Sequence, residues 1–386
     1  MKLNEEARQV LRSLTRGAYD IQKLRIQIGN RLCAAFRSRL GLKAQEGEKK
    51  DKDAKKILDR LRAEYKKITD GVKKELPTIK AFKPIGIIHS YTELCLISEY
   101  LQLEALEAKH LAKGGRLDVI LGEYDLYTKY LTRIRGCGPA MSAVIMSEFN
   151  IHKAEYASQM IRYSGFSVEA DGKGTSKRAE HLYDIQYTDR DGKVKTRKGI
   201  RHNPWLKTKL YVLGGCLVKM GFYVDKSNGA RIPMTKYGET YLNYLNRLNN
   251  HQVYGEAQDA VRIKEVQTAT GKKYSPKAHR RAMALRYVIK AFIMDLYEAW
   301  RKLEGLPVND LYHTAKLGLR HHSNFADQFE YRPAPKGTLV VKEGGIPEPE
   351  VDFDGIEDDL EFEEAAGETL DVAIKNPEEE KPEEIK

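Results

Sequence analysis

Cysteine is scarce in this chain. The four residues at positions 33, 95, 137 and 216 stand alone, with no CxxC pair among them. Such spacing offers neither a disulfide framework nor a thiolate zinc site, and it fits a reducing cytoplasm. Long apolar runs are missing too. The longest, Leu210–Val218, is nine residues and contains two glycines, where a membrane helix needs about 20. The opening MKLNEEARQVL has no hydrophobic segment of the signal-peptide type. No Walker loop, GxSxG or HExxH is present. His313, His321 and His322 come without a carboxylate at metal-ligand spacing and read as solvated surface, so no metal site is expected. These absences point to a cytoplasmic protein with no membrane partner.

What the chain has in abundance is charge, unevenly placed. The formal net charge is +11. From Ile346 to Lys386 there are 17 Asp/Glu and 3 Lys, a balance of −14, so residues 1–345 carry +25. A body that basic attracts polyanions, and clustered Lys/Arg gain affinity for a phosphate backbone by releasing counterions. A solvated lysine-rich surface would have the same composition. The tail 346–386 reads as disordered and acidic, either a competitor for the basic body or a solubility tag.

Apolar spacing makes the chain mainly α. Residues 1–40 repeat apolar positions at three- and four-residue steps, with Gly17 and Gly29 as candidate bends; Ile57–Ile68 is a second amphipathic helix after the charged linker 45–56. The division read from the sequence is a helical region 1–90, a long helix in 91–130, a helical domain 131–310, an extension 311–345 and the tail. Leu94, Ile97, Leu101 and Leu106 in Tyr91–Leu111 suit a partner helix, either in an intramolecular core or in a coiled coil. Further on, Tyr156–Ser164, Leu206–Tyr223, Tyr237–Asn250 and Ala282–Leu303 read as helices. His181–Thr188 and Lys193–Thr196 read as a small β-hairpin inserted among them, joined at Asp189–Gly192.

The sharpest local signal is Ile134-Arg135-Gly136-Cys137-Gly138-Pro139-Ala140, continuing through Ala143 to Ile145. It fits a helix-hairpin-helix. Gly136 and Gly138 permit a tight turn and close approach to a phosphate, and the helix after them offers free N–H groups and its positive end. Pro139 suits the first turn of that helix, where no N–H is needed. A plain packing corner between two helices is the other reading.

Basic residues cluster further on. Lys193, Lys195, Arg197, Lys198, Arg201, Lys207 and Lys209 occur with no acid between them, beside Trp205 and Tyr211. A second cluster, Gly271–Arg281, includes Lys277, Arg280 and Arg281, with His279 among them as a phosphate contact. Cations interleaved with aromatics suit a nucleic-acid groove.

Taken in order, these segments resemble the carboxy-terminal transposase domain of the Piv-like insertion-sequence transposases, which include the pilin-gene inverting recombinases. The similarity lies in LTRIRGCGPAMSAVIMSEF (131–149) leading to RYSGF (162–166), in KTRKGIRHNPWLKTKLY (195–211), and in HRRAMALRYVIKAFIMDLYEAWRKLEGLPV (279–308). It covers roughly residues 95–310. The resemblance implies DNA as partner, DNA transposition or site-specific recombination as function, a homo-oligomer, and room for a guide RNA. A catalytically silent, domesticated nucleic-acid-binding module is the alternative.

Two departures matter. The family pairs this domain with an amino-terminal RuvC-like domain whose carboxylates hold Mg²⁺. Here Glu5, Glu6 and Asp20 lie in a helical pattern, and Asp51, Asp53 and Asp59 in a lysine-rich run. The family also carries a nucleophilic serine, commonly before a glycine, where this chain has Asp171-Gly172. Ser176, flanked by Lys173, Lys177 and Arg178, is the first candidate for that role and Ser167 the second.

Overall fold

The structure, a computed structural model, describes residues 2–41, 47–69, 76–84, 86–169, 172–190, 192–225, 231–270 and 274–309. The extension, the acidic tail, Asp171 and the three histidines at 313, 321 and 322 lie outside them. The described residues are mainly helical, with two short antiparallel hairpins. They divide into two compact units, residues 1–128 with 142–148, and residues 129–141 with those from 149 onward.

The first unit is built on α1 (Glu5–Arg39), α2 (Gly47–Thr69) and α3 (Tyr91–Leu111), followed by α4 (Arg116–Leu121). Asn4 caps α1 by accepting the Ala7 N–H at 2.8 Å. The helix runs unbroken through Gly17 and Gly29, both expected as bends. Gly29 serves packing instead, because a Cβ there would lie 3.1 Å from the Tyr100 ring of α3. Leu32, Cys33 and Phe36 of α1, Ile57 and Leu61 of α2, and Leu94, Ile97 and Tyr100 of α3 form one core. Helix α3 thus buries Leu94 and Ile97 within the chain and Leu101 in part, while Leu106 is exposed. Helix α3 spans Tyr91–Leu111, the bounds read from the sequence, and Gly114 takes φ +78° before the chain enters α4. No strand occurs among the described residues of this unit.

In the second unit, α5 (Asp125–Lys129) leads in from the first, and α6 (Pro139–Glu148) has its opening residues here. There follow α7 (Ala157–Tyr163), β1 (Tyr183–Thr188), β2 (Val194–Gly199) and α8 (Pro204–Lys219). The chain continues through β3 (Phe222–Val224), β4 (Arg231–Pro233), α9 (Lys236–Asn249), α10 (Asp259–Thr270) and α11 (Pro276–Glu304). Helix α11 is the axis, packing on α7, α8 and α9 through Val288, Ile289, Phe292, Leu296 and Trp300, all buried.

Element ends differ from the sequence reading for local reasons. Helix α11 starts six residues earlier than expected, because Ser275 accepts the Ala278 N–H and Pro276 occupies the first turn. The helix expected to reach Tyr223 stops at Lys219, and Phe222–Val224 pair instead with Arg231–Pro233. Aromatic and β-branched residues favour that extended pairing once a partner strand returns.

Candidate functional site

The glycine-rich turn comes first. Helix α5 is followed by a 3-10 turn, Leu131–Arg133, and then by a reversal in which the Cys137 N–H donates to the Ile134 carbonyl at 3.1 Å. Gly136 has φ +93°, and a Cβ there would lie 2.8 Å from the backbone carbon and oxygen of Cys216 in α8. Two constraints thus demand glycine, left-handed backbone and close packing. Gly138 is different. It is exposed, with nothing within 4 Å of the position its side chain would take, and it precedes Pro139 at the start of α6.

The serine loop is folded, not open. Val168 bridges Gly174, and the Thr175 N–H donates to the Ser167 carbonyl at 3.0 Å. Glu169 N–H donates to Lys173 O and Gly172 N–H to Glu169 O, with Gly172 at φ +75°. The same pair of bonds closes the β1–β2 turn, from Asp189 to Lys193 and from Gly192 to Asp189, with Gly192 also at φ +75°. Sequence explains the likeness, since EADGK and DRDGK share the Asp-Gly-Lys ending of a hairpin turn. Gly172, expected as the remnant of a Ser-Gly pair, is here the glycine that closes a turn.

Ser167 and Ser176 have separate surroundings. The Ser167 hydroxyl lies 2.6 Å from the Thr175 hydroxyl, which in turn donates to Glu169 at 2.7 Å. Ser176 Oγ lies 2.9 Å from Nδ1 of His181, a buried residue closing the 3-10 turn Ala179–His181. The Ser176 N–H donates to the same nitrogen at 3.0 Å. A ring nitrogen that accepts a backbone N–H carries no proton of its own, and its single lone pair is shared between that N–H and the Ser176 hydroxyl. Ser176 Oγ also accepts the Arg178 N–H at 3.3 Å.

Cations converge on this stretch. Lys207 of α8 is buried and donates from Nζ to the Thr175 carbonyl at 3.0 Å. Arg286 of α11 reaches Gly174, where a Cβ would lie 3.1 Å from its Nη1, and its Nε donates to the Tyr211 hydroxyl at 2.5 Å. Gly174, Thr175 and Ser176 therefore meet Arg286, Lys207 and His181 in succession.

Two histidines register the resulting field. Burial, then Lys207 and Lys177, push the pKa of His202 down to about 4, against a smaller opposing effect of Glu169. Its ring packs beside Gly165 with neither nitrogen hydrogen-bonded. His279 is also lowered to about 4, by burial and then by Arg262, Arg286 and Arg280.

The other expected contacts fall into three settings. Lys193, Lys195, Arg197 and Lys198 are exposed on or beside β2, where Lys195 pairs with Asp189, and Lys198 with Asp184 at 2.8 Å. Arg197 lies over the Tyr187 ring at 5.4 Å, Arg201 over Tyr183 at 5.5 Å, and Lys209 over Trp205 at 5.6 Å. At the start of α11, Lys277 is exposed and Arg281 half-buried. Arg280 is buried, with both terminal nitrogens on Asp259 at 2.5 and 3.1 Å, so its charge is engaged inside the fold.

His181, Arg286 and the two ribbon tyrosines were not singled out from the sequence. Arg286 stands seven residues after His279, a helical spacing that places both on one face of α11. No recognisable spacing marks His181.

Among the described residues, no group of three or more His, Cys, Asp or Glu is placed to hold a metal ion. The Mg²⁺ implied by the resemblance finds no such group there. No helix among the described residues is long and apolar enough to cross a membrane. Comparison with protein-family models, curated proteins and solved structures finds no match to this chain.

Proposed function

We propose that the chain binds DNA and acts in DNA transposition or site-specific recombination. The observation that carries this reading is the serine hydroxyl bonded to His181 on a stretch met by Lys207 and Arg286. His202 and His279 have their pKa values lowered first by burial and then by neighbouring cations, and such cations also attract phosphate. In this reading the Gly136–Pro139 turn and the first N–H groups of α6 hold duplex backbone, a contact that positions without reading sequence.

The strand-transfer step follows from the Ser176 geometry. Ser176 Oγ attacks a phosphodiester phosphorus as its proton passes to His181 Nδ1, and the bond from phosphorus to one deoxyribose oxygen breaks. His181 returns the proton to that leaving oxygen, and the DNA stays joined to Ser176 as a phosphodiester. Attack by another deoxyribose hydroxyl reverses the sequence and joins new strands.

A second reading, a catalytically silent DNA-binding module, has its own support. The hydrogen bonds that Ser176 makes to His181 and Arg178 all lie within six residues of chain, as in an ordinary loop closure. Denaturing purification of the tagged protein from its own cells separates the two. Covalently attached DNA in the native chain, absent from Ser176→Ala and reduced at least tenfold in His181→Gln, supports the enzyme. DNA recovered only after reversible crosslinking supports the silent module. Recovery of no DNA by either route overturns both.

A further inference from the structure

The β1–β2 hairpin is a ribbon of two strands, with no third strand on either edge among the described residues. Its register pairs Asp184 with Lys198, Gln186 with Thr196, and Thr188 with Val194, so these six residues share one face. Tyr183, Ile185 and Tyr187 share the other with Gly199, Arg197 and Lys195. The faces differ in burial. Tyr183 and Ile185 are half-buried and Gly199 is buried, whereas all six residues of the first face are exposed.

A two-stranded ribbon in water is marginally stable, and a wholly exposed face adds nothing to its packing. Apart from the exposed Val194 at its tip, this face is polar. Its centre is Gln186 opposite Thr196, with Thr188 next along and an Asp184–Lys198 ion pair at its base. Gln186, Thr196 and Thr188 are neutral side chains able to donate and accept hydrogen bonds. The cations without a carboxylate partner among the described residues, Lys193, Arg197 and Arg201, lie at the tip and along the opposite side.

We propose that this ribbon enters the major groove of duplex DNA with the Gln186–Thr196 face toward the base edges. The inference rests on the reading that the chain binds DNA, and adds to it the element that reads sequence. The major groove, about 12 Å wide, admits a two-stranded ribbon. Six residues of strand span about 20 Å, enough to follow several base pairs. Gln186 has the amide that pairs bidentately with N6 and N7 of adenine, and Thr196 adds a hydroxyl and a methyl for a neighbouring base. Lys193 and Arg197 reach the flanking phosphates. Backbone grip and base reading are thereby divided between the Gly136 turn and the ribbon.

Selection of bound duplexes from a random pool by the full chain tests this without knowledge of the target. The expected result is an enriched motif containing adenine. In Gln186→Ala that position loses its preference at least fivefold while affinity for unselected duplex stays within about twofold. Lys193→Ala with Arg197→Ala weakens all duplexes alike. A duplex RNA of equal length competes poorly, since its deep, narrow major groove excludes side chains. An unchanged motif in both Gln186→Ala and Thr196→Ala overturns the ribbon's role, as does equal competition by RNA or single-stranded DNA. Binding of DNA with no motif at all overturns base reading but leaves DNA binding standing. Failure to bind any duplex removes the underlying reading itself. These side chains are exposed, so an unchanged melting temperature in each variant confirms an intact fold.

Discussion

The two units differ in how many of their arginines meet acids, although Arg280 of the second is paired with Asp259 and Arg25 and Arg39 of the first also lie over rings. In the first, Arg25 reaches Glu107 at 2.5 Å, Arg39 reaches Glu93 at 2.7 Å and Arg62 reaches Glu104 at 2.6 Å, each tying one helix to another. Arg12 and Arg16 close on Glu148, whose side chain is fully buried. In the second, Arg197, Arg201 and Arg262 lie over tyrosine rings, and among the described residues no carboxylate pairs with them. A guanidinium on a ring is held in place while its charge stays available. Basic composition alone does not distinguish an arginine that holds helices together from one presented outward. The placement of acids in the fold does.

The largest effect expected tests the packing of the glycine turn against α8 in the second unit. Gly136→Val forces a left-handed position and drives a side chain into the backbone of α8, so a loss of more than about 3 kcal/mol is expected. Chemical denaturation would show it, and a shift under about 1 kcal/mol would mean that the turn and α8 are not packed as described. Next in size is Arg12→Ala with Arg16→Ala. Removing both strips the buried Glu148 carboxylate of two arginine partners, a loss of about 3 kcal/mol. Arg197→Ala with Arg201→Ala should change stability by less than about 1 kcal/mol. Equal losses in the two double variants would dissolve the contrast between the units.

A pH titration sharpens the comparison on the side of the second unit. In the unfolded chain His202 takes up a proton near pH 6.5, but in the folded protein not until about pH 4. Between those values the unfolded state binds the extra proton, so acid favours unfolding; the stability is complete above pH 6.5 and is lost as pH falls toward 4. The carboxylates contribute to acid sensitivity as well, and a His202→Leu comparison isolates the histidine. Between pH 7 and 4.5 the melting temperature of the native chain should fall a few degrees further than that of the variant. Parallel curves would mean that His202 is solvated and not buried among Lys207 and Lys177.

The helices were legible because burial in them repeats along the sequence. Val288, Phe292 and Leu296 are spaced by four, and all three are buried in α11. The hairpin was legible from its turn residues, with strand ends shifted by a few positions. What stayed hidden depends on meetings between distant segments. Lys207 and Arg286 are 79 residues apart in sequence, and only the packing of α8 on α11 brings both to the serine loop. Arg280 was grouped with the nucleic-acid contacts because it sits in a basic run, yet Asp259, 21 residues earlier, takes its charge. The Ser176–His181 pair spans only five residues and still escaped, because a 3-10 turn rather than a helix or strand sets its geometry.

The smallest effect on stability belongs to Gly138→Ala. Nothing lies within 4 Å of the added methyl, and the glycine has no positive φ that alanine would resist. A residue before proline is confined to extended backbone in any case, which alanine adopts readily. Stability should therefore change by less than about 0.5 kcal/mol. Binding is another matter if this turn grips phosphate, because open space beside the first N–H groups of α6 is what a close-lying backbone would occupy. A methyl there should weaken duplex binding severalfold at low salt while the melting temperature stays put. Gly136→Val cannot make this distinction, since it breaks the unit along with any contact. If Gly138→Ala binds duplex as tightly as the native chain, the glycine pair is a packing corner serving α8, and the grip on DNA lies elsewhere in the second unit.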